Sequence, residues 1–401
     1  MTDHLHLAVA LDGAGWHPAA WRESQARPAD LFDAAYWIDL ARTAERGLLD
    51  FVTIEDALTV QSADPFSPDE RTDQVRGRLD AVEIAARVAP ATASVGFVPT
   101  AVVTHTEPFH LSKAVATLDY VSSGRAGLRV QVAATPHANG NVGRRQIPDV
   151  RITDIGADEF AAAESTLFAE AADYVEVVRR LWDSWEDDAE IRDIATGRFI
   201  DRHKLHYIDF ESPNFSVKGP SITPRPPQGQ PPVVALAHLP RGLELIGESA
   251  DIGLITPHTQ AQAVDSVASI RAAAAAAGRG DETIHVFADL VVFLDDTEDE
   301  AHDRVARLDD VAGASFRSDA PVFIGTAAGL ADLLIERQSA GLSGFRLRPG
   351  TLPTDLDRIV DDLVPELQRR GVFRSAYPKS STLRGLLGLS RPANRYATAQ
   401  S

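Results

Sequence analysis

Cysteine is absent from the 401 residues, and the only methionine is Met1. The first absence excludes disulfides, thiolate metal sites, iron–sulfur clusters and a cysteine nucleophile. Positive charge is also scarce: 39 lysines and arginines face 58 aspartates and glutamates, a net charge of −19. So acidic a chain repels phosphate backbones and anionic lipid, which speaks against nucleic acid and membranes as partners. No long hydrophobic run is present. The longest uncharged stretch, Val88 to Thr106, is broken by Pro90 and Pro99 and is no transmembrane helix. The N-terminus, Met1-Thr2-Asp3-His4, has no basic region before an apolar stretch, so a cytoplasmic protein is expected. Motifs are missing too: no HExxH, no GxSxG, no Walker sequence, and no GxGxxG after a strand. The chain therefore lacks a recognisable nicotinamide or ATP site of its own.

Apolar residues, at 44%, supply ample core. Short apolar runs alternate along the chain with amphipathic patterns. The runs are Leu5–Leu11, Phe51–Glu55, Ala93–Val98, Gly127–Ala133, Val233–Ala237, Ile252–Ile255, Ile284–Phe293 and Gly344–Leu347. Most are rich in β-branched residues and lack polar alternation, as buried parallel strands do. Between them, Phe168, Ala171, Ala172, Val175, Val178 and Trp182 recur at helical spacing. Further helices are expected near Leu31–Arg46, Leu79–Val88, His110–Val121, Thr259–Ala277 and Ala327–Gln338. Eight strands with intervening helices make the count of a closed α/β barrel of the (β/α)8 (TIM) type. A doubly wound sheet with a second domain gives the same alternation, but no Pro- or Gly-rich linker divides the chain. One barrel over residues 1–389 is expected, followed by a loosely held tail at 390–401. Thr135–Asp158 is too long for a routine connection and reads as an active-site loop.

Barrel chemistry sits at the C-terminal ends of the strands, so the residues that follow each strand are the candidates. Trp16 and His17 follow the first, Glu55 and Asp56 the second, and Thr100, Thr104 and His105 the third. His137 and Asn139 follow the fourth, His238 the fifth and His258 the sixth. Five of the twelve histidines thus fall on one face, which together point to a polar pocket, although for any one of them alone a solvated loop is the favoured reading. His4 and His6 form an HxH pair at the opposite end of the first strand, where a solvated or core-edge role is expected. Gly140-Asn141-Val142-Gly143-Arg144-Arg145 could hold an anion or could be a solvated basic loop.

Several segments carry a resemblance. Glu107–Arg125 (EPFHLSKAVATLDYVSSGR), Tyr174–Trp185 (YVEVVRRLWDSW), Phe215–Gln230 (FSVKGPSITPRPPQGQ), Val364–Arg374 (VPELQRRGVFR) and Thr382–Tyr396 (TLRGLLGLSRPANRY) follow one another in family order. They resemble the flavin-dependent monooxygenases of the bacterial-luciferase type, in the branch that contains the nitrilotriacetate, dibenzothiophene-sulfone and long-chain alkane enzymes. The resemblance implies a single luciferase-like barrel that oxygenates a small organic substrate with O₂ and reduced FMN. The FMN would come from a separate NAD(P)H:flavin reductase, which suits the missing nicotinamide site. It also implies a homodimer. Histidine, whose pKa permits proton donation near neutrality, suits the proton-donating role, and His17, His105 and His137 are the catalytic candidates. Asp56 falls on the family's aspartate near the flavin ring. Asp56, Thr100, Arg129, His238, Arg241 and Arg144 are the cofactor-binding candidates, with no metal.

The departures from the family pattern cluster. Its WNVVTS reads Leu128-Arg129-Val130-Gln131-Val132-Ala133, its flavin-phosphate tyrosine becomes Phe168, and its QAGSSPAG loop becomes Ala235–Gly242 without serines. Each lost hydroxyl contact to a charged phosphate is worth roughly 1.5–3 kcal/mol. Two expectations follow. Either Arg129, Arg144, Arg145 and Arg241 replace hydroxyls with positive charge at the phosphate, or these arginines pair with the abundant carboxylates. In the second case the chain is a weak-flavin, deazaflavin or non-catalytic relative.

Overall fold

The computed structural model describes residues 4–62, 68–133, 135–143, 158–379 and 381–397, with the backbone alone at 158–160. Eight strands form the barrel: β1 (His6–Leu11), β2 (Phe51–Ile54), β3 (Gly96–Val102), β4 (Leu128–Gln131), β5 (Val233–Ala237), β6 (Ile252–Ile255), β7 (His285–Leu294) and β8 (Gly344–Pro349). Each pairs in parallel with the next, and β8 returns to β1, so the sheet is closed. Helices cover the outside. Strands buried on both faces explain why the runs lack polar alternation.

Two elements differ from the sequence expectation for physical reasons. β3 begins at Gly96 rather than at residue 93 and continues through Pro99 to Val102. A proline forfeits only one ladder donor, and burial of Ala101 and Val102 carries the strand past it. β7 is ten residues long: its first four pair with β6, and its last four with an unforeseen rim strand, Val322–Gly325. The helices Pro240–Ser249 and Glu298–Ala312 were also not foreseen. The second is capped by Thr297 and opens with Glu298, Asp299 and Glu300, which suit the positive end of its dipole. Within the long loop expected at Thr135–Asp158, Pro136–Val142 is helical and capped by the Thr135 hydroxyl. Residues 144–157, with Arg144 and Arg145, lie outside the described residues.

The barrel interior is layered. Ala8, Phe51, Val98, Val234, Leu254 and Phe287 fill the lower half, and Leu383 and Leu387 from the C-terminal segment close it from below. Above this apolar floor the same strands turn charged. Of the expected tail, the described residues 391–397 are docked rather than loosely held. Arg391 donates to Asp187 at 3.0 Å, Asn394 to the Asp183 and Trp185 carbonyls at 2.8 Å each, and Tyr396 stacks on His206. Among the described residues no helix is long and apolar enough to cross a membrane, and no group of three or more His, Asp or Glu residues could hold a metal ion. His6 donates from Nδ1 to the Asp50 carboxylate at 2.9 Å and plays a structural part at the barrel's lower end.

Candidate active site

Alternate residues of a barrel strand point inward, so a charge inside an apolar strand ends up in the lumen. Three strands do this: Arg129 lies on β4, Asp289 on β7, and Arg346 and Arg348 on β8, joined by Glu55 just beyond β2. They form one connected lattice. Arg129 Nη1 donates to Glu55 at 2.5 Å and to the Thr100 hydroxyl at 2.8 Å. Arg346 donates to Glu55 at 3.0 Å, to Thr53 at 3.1 Å and to Asp289 at 2.9 Å. Arg348 reaches the same Asp289 at 2.9 Å and Asp319 at 2.7 Å. Three guanidiniums thus meet three carboxylates. Burial alone would raise the Glu55 pKa, but the charges of Arg129, Arg346 and Arg348 outweigh it and hold the group at about 2. Asp319 is held at about 2 in the same way, against burial, by Arg348.

Above the lattice a cavity of about 570 Å³ opens at the C-terminal ends of the strands. That is within the roughly 300–1,000 Å³ typical of small-molecule sites. Trp16, Val130, Val132, Phe168, Leu236 and Leu239 give it apolar walls. A second chamber of about 340 Å³ adjoins it, sharing Ala57, Arg78 and Gln131, and is lined by Thr59, Gln61, Thr135 and His137. Another cavity, about 1100 Å³, lies at the opposite end of the barrel among Arg179, Asp251 and Arg384, far from this face.

The structure brings some candidates together and separates others. Asp56, Arg129 and His238 line the larger chamber, and His137 the smaller. Asp56 accepts from the Ala57 and Ala81 backbone N–H groups at 2.7 and 3.1 Å, and burial raises its pKa. Thr100 is fully buried beneath Arg129. His238 lies 3.6 Å from Asp319 at the rim; burial lowers its pKa, and the Asp319 charge opposes that. His17 and His105 line neither chamber. The His17 ring is locked: the Ala19 N–H donates to Nδ1 at 3.1 Å, so Nε2 carries the proton and donates to Asp309 at 3.0 Å. His17 thus ties the loop after β1 to the helix Glu298–Ala312. Arg241 also lies off the lining and donates to Glu244 at 2.6 Å. Sequence reasoning missed Asp289, Arg346, Arg348 and Asp319. The signal was available for three of them, as charges at alternate positions of otherwise apolar strands.

The sequence profile of the luciferase-like monooxygenases matches residues 14–344. The chain belongs to this family. It is an enzyme of the monooxygenase class. Among its luciferase-like relatives, the N-acetyl-S-(2-succino)cysteine monooxygenase of Bacillus subtilis (strain 168) is 29% identical over 98% of both chains. Nitrilotriacetate monooxygenase component A of Aminobacter aminovorans is 28% identical over 98% of both. The EDTA monooxygenase structure from Chelativorans sp. BNC1 superposes with a TM-score of 0.81 at 24% identity, covering 97% of this chain and 99% of that one. The last comparison speaks for the fold.

A flavin suits one part of this luciferase-like site and not another. Two buried polar atoms on the lining have no hydrogen-bond partner, Arg129 Nε and Glu164 Oε1. The Arg129 donor beside apolar walls matches the acceptor-rich edge of an isoalloxazine ring. A phosphate finds no such match: among the described residues, every guanidinium on the lining is already paired, Arg78 with Asp12, Arg129 with Glu55 and Arg348 with Asp289 and Asp319.

Proposed function

We propose that the protein oxygenates a small organic substrate with O₂ and a reduced flavin that enters from solution, generated by a separate NAD(P)H:flavin reductase. The observation that carries this reading is the two-chambered cavity at the strand ends: one chamber has ring-sized apolar walls and an orphaned arginine donor, the other a mixed polar lining. A bound reduced flavin would supply the two electrons that O₂ needs to give one oxygen atom to substrate and one to water. The chain's own part is to orient the ring through Arg129, to exclude water with Trp16, Phe168 and Leu239, and to offer His137 as a hydrogen-bonding group beside the substrate. The lattice beneath, three guanidiniums against three carboxylates, supplies a charge-neutral floor. The absence of a nicotinamide motif supports delivery of the flavin in reduced form.

The test is to mix the protein with photoreduced flavin and aerated buffer and to follow re-oxidation. Re-oxidation through a protein-dependent transient absorbance is expected. Kinetics identical to free flavin at excess protein would overturn the reading. A homodimer in the cytoplasm is part of the same proposal. It is supported by exposed Ile194, Phe199, Tyr207 and Ile222 on and beside the hairpin of Glu190–Asp193 and Arg198–Ile200.

A further inference from the structure

The phosphate end of the site points to a preference that the family resemblance does not contain. The helix Pro240–Ser249 starts at the rim of the larger chamber, with Leu239 as its N-cap and no side-chain cap. A helix start ordinarily favours an anion. Here the chemistry around it runs the other way. Arg241, in the first turn, spends its charge on Glu244 at 2.6 Å. Glu164 faces the same turn, its Oε1 buried without a partner. Burial raises the Glu164 pKa, with Arg241 opposing and Glu244 adding to the rise. Two carboxylates therefore surround one guanidinium, and the lattice below has no spare cation.

We propose that this cavity takes its flavin without the phosphate, binding riboflavin in preference to FMN, with Glu164 accepting a hydrogen bond from the terminal ribityl hydroxyl. This rests on the flavin reading given above. The two ligands differ only at that end. Riboflavin presents an O–H donor there, which satisfies the orphaned acceptor. FMN presents a phosphomonoester carrying about −1.5 to −2 charges at pH 7, which meets a carboxylate. The Arg129 end is indifferent to the choice, because both flavins share the ring.

The experiment titrates the full-length protein with riboflavin and with FMN at low ionic strength, reading quenching of flavin fluorescence. FMN should bind about 10-fold more weakly, the order expected of one like-charge contact several ångströms apart at a half-solvated rim. The gap should narrow as salt rises, because screening relieves repulsion. Glu164→Gln should strengthen FMN binding about 5-fold, removing most of that repulsion while keeping an acceptor for riboflavin. Glu244→Gln, at a half-exposed position, should strengthen FMN binding by freeing Arg241. FMN binding as tight as or tighter than riboflavin would overturn the proposal and leave the flavin reading standing. A riboflavin preference unmoved by Glu164→Gln would overturn the role of Glu164. Failure of both flavins to bind would overturn the flavin reading itself.

Discussion

Glu55 shows how much depends on one side chain in the lattice. Its carboxylate is shared by Arg129 and Arg346, and its pKa is about 2 against an ordinary 4.5. A carboxylate depressed on folding contributes stability that is fully present above its unfolded pKa and is lost as pH falls through the folded value. The window here runs from about pH 4.5 down to about 2, and the contribution at neutral pH is about 3 kcal/mol. Glu55→Gln should lose that amount at pH 7 and much less at pH 3, as urea unfolding at the two pH values would measure. The neighbouring Arg129 lines the cavity with its Nε unpartnered, and in the function proposed above it faces the flavin. Arg129→Gln should weaken riboflavin binding about 10-fold or more, the worth of a charge-assisted hydrogen bond. Arg129→Lys should not restore it, because an ammonium cannot hold Glu55 and a ring acceptor with a planar fork. Retention of full affinity in either variant would remove Arg129 from the site.

At the level of elements, the C-terminal segment does more than end the chain. Leu383, fully buried, enters the barrel from below against Gly96 and Gly127, where Cβ atoms would come within 2.7 Å and 3.3 Å of its methyl groups. Arg384 beside it bonds Asp251 at 2.9 Å and the Gln230 carbonyl. Leu383→Ala should cost about 2–5 kcal/mol, since rigid strands on every side cannot collapse into the void. The expected signature is a lower urea midpoint with an unchanged slope. An unaltered midpoint would mean that the plug packs loosely. The opposite end of the barrel has a different closure. The second half of β7 carries the rim strand Val322–Gly325, which runs directly on from Asp319, the last carboxylate of the lattice.

Over the whole molecule, the net charge of −19 and the paired arginines of the cavity act in the same direction, against anionic ligands. A polyanionic substrate would find no free guanidinium among the described lining residues, so neutral or cationic compounds should displace riboflavin more readily than polycarboxylates in competition titrations. Tighter competition by a polycarboxylate would show that an unpaired cation reaches the cavity. The homodimer reading predicts a sedimentation mass near twice 43.2 kDa at micromolar protein. A double change of Ile194→Asp and Phe199→Asp, both on the surface, should return it to the monomer mass. A parent already at the monomer mass would end that reading.

Period and composition in the sequence by themselves determined eight strands alternating with helices: Val233–Ala237 and Ile252–Ile255 are bounded as their apolar runs predict, because strands buried on both faces read as nearly continuous apolar runs, whereas closure was decided by the pairing of β8 with β1. The same logic located the functional face, since residues following those strands must gather at one end. It could not say which of them meet. His17 and His137 read alike in sequence, each a histidine after a strand. Only the packing of the helix Glu298–Ala312 against the β1 loop decided that His17 bonds Asp309 while His137 lines a chamber. Arg129 and Arg241 likewise read as equivalent cations. Their roles were set by neighbours distant in sequence for one and near for the other, Glu55 across the lumen and Glu244 one turn along a helix. Pairing of charges is a property of three-dimensional distance, and a linear sequence carries it only where partners share a helix turn or a strand register.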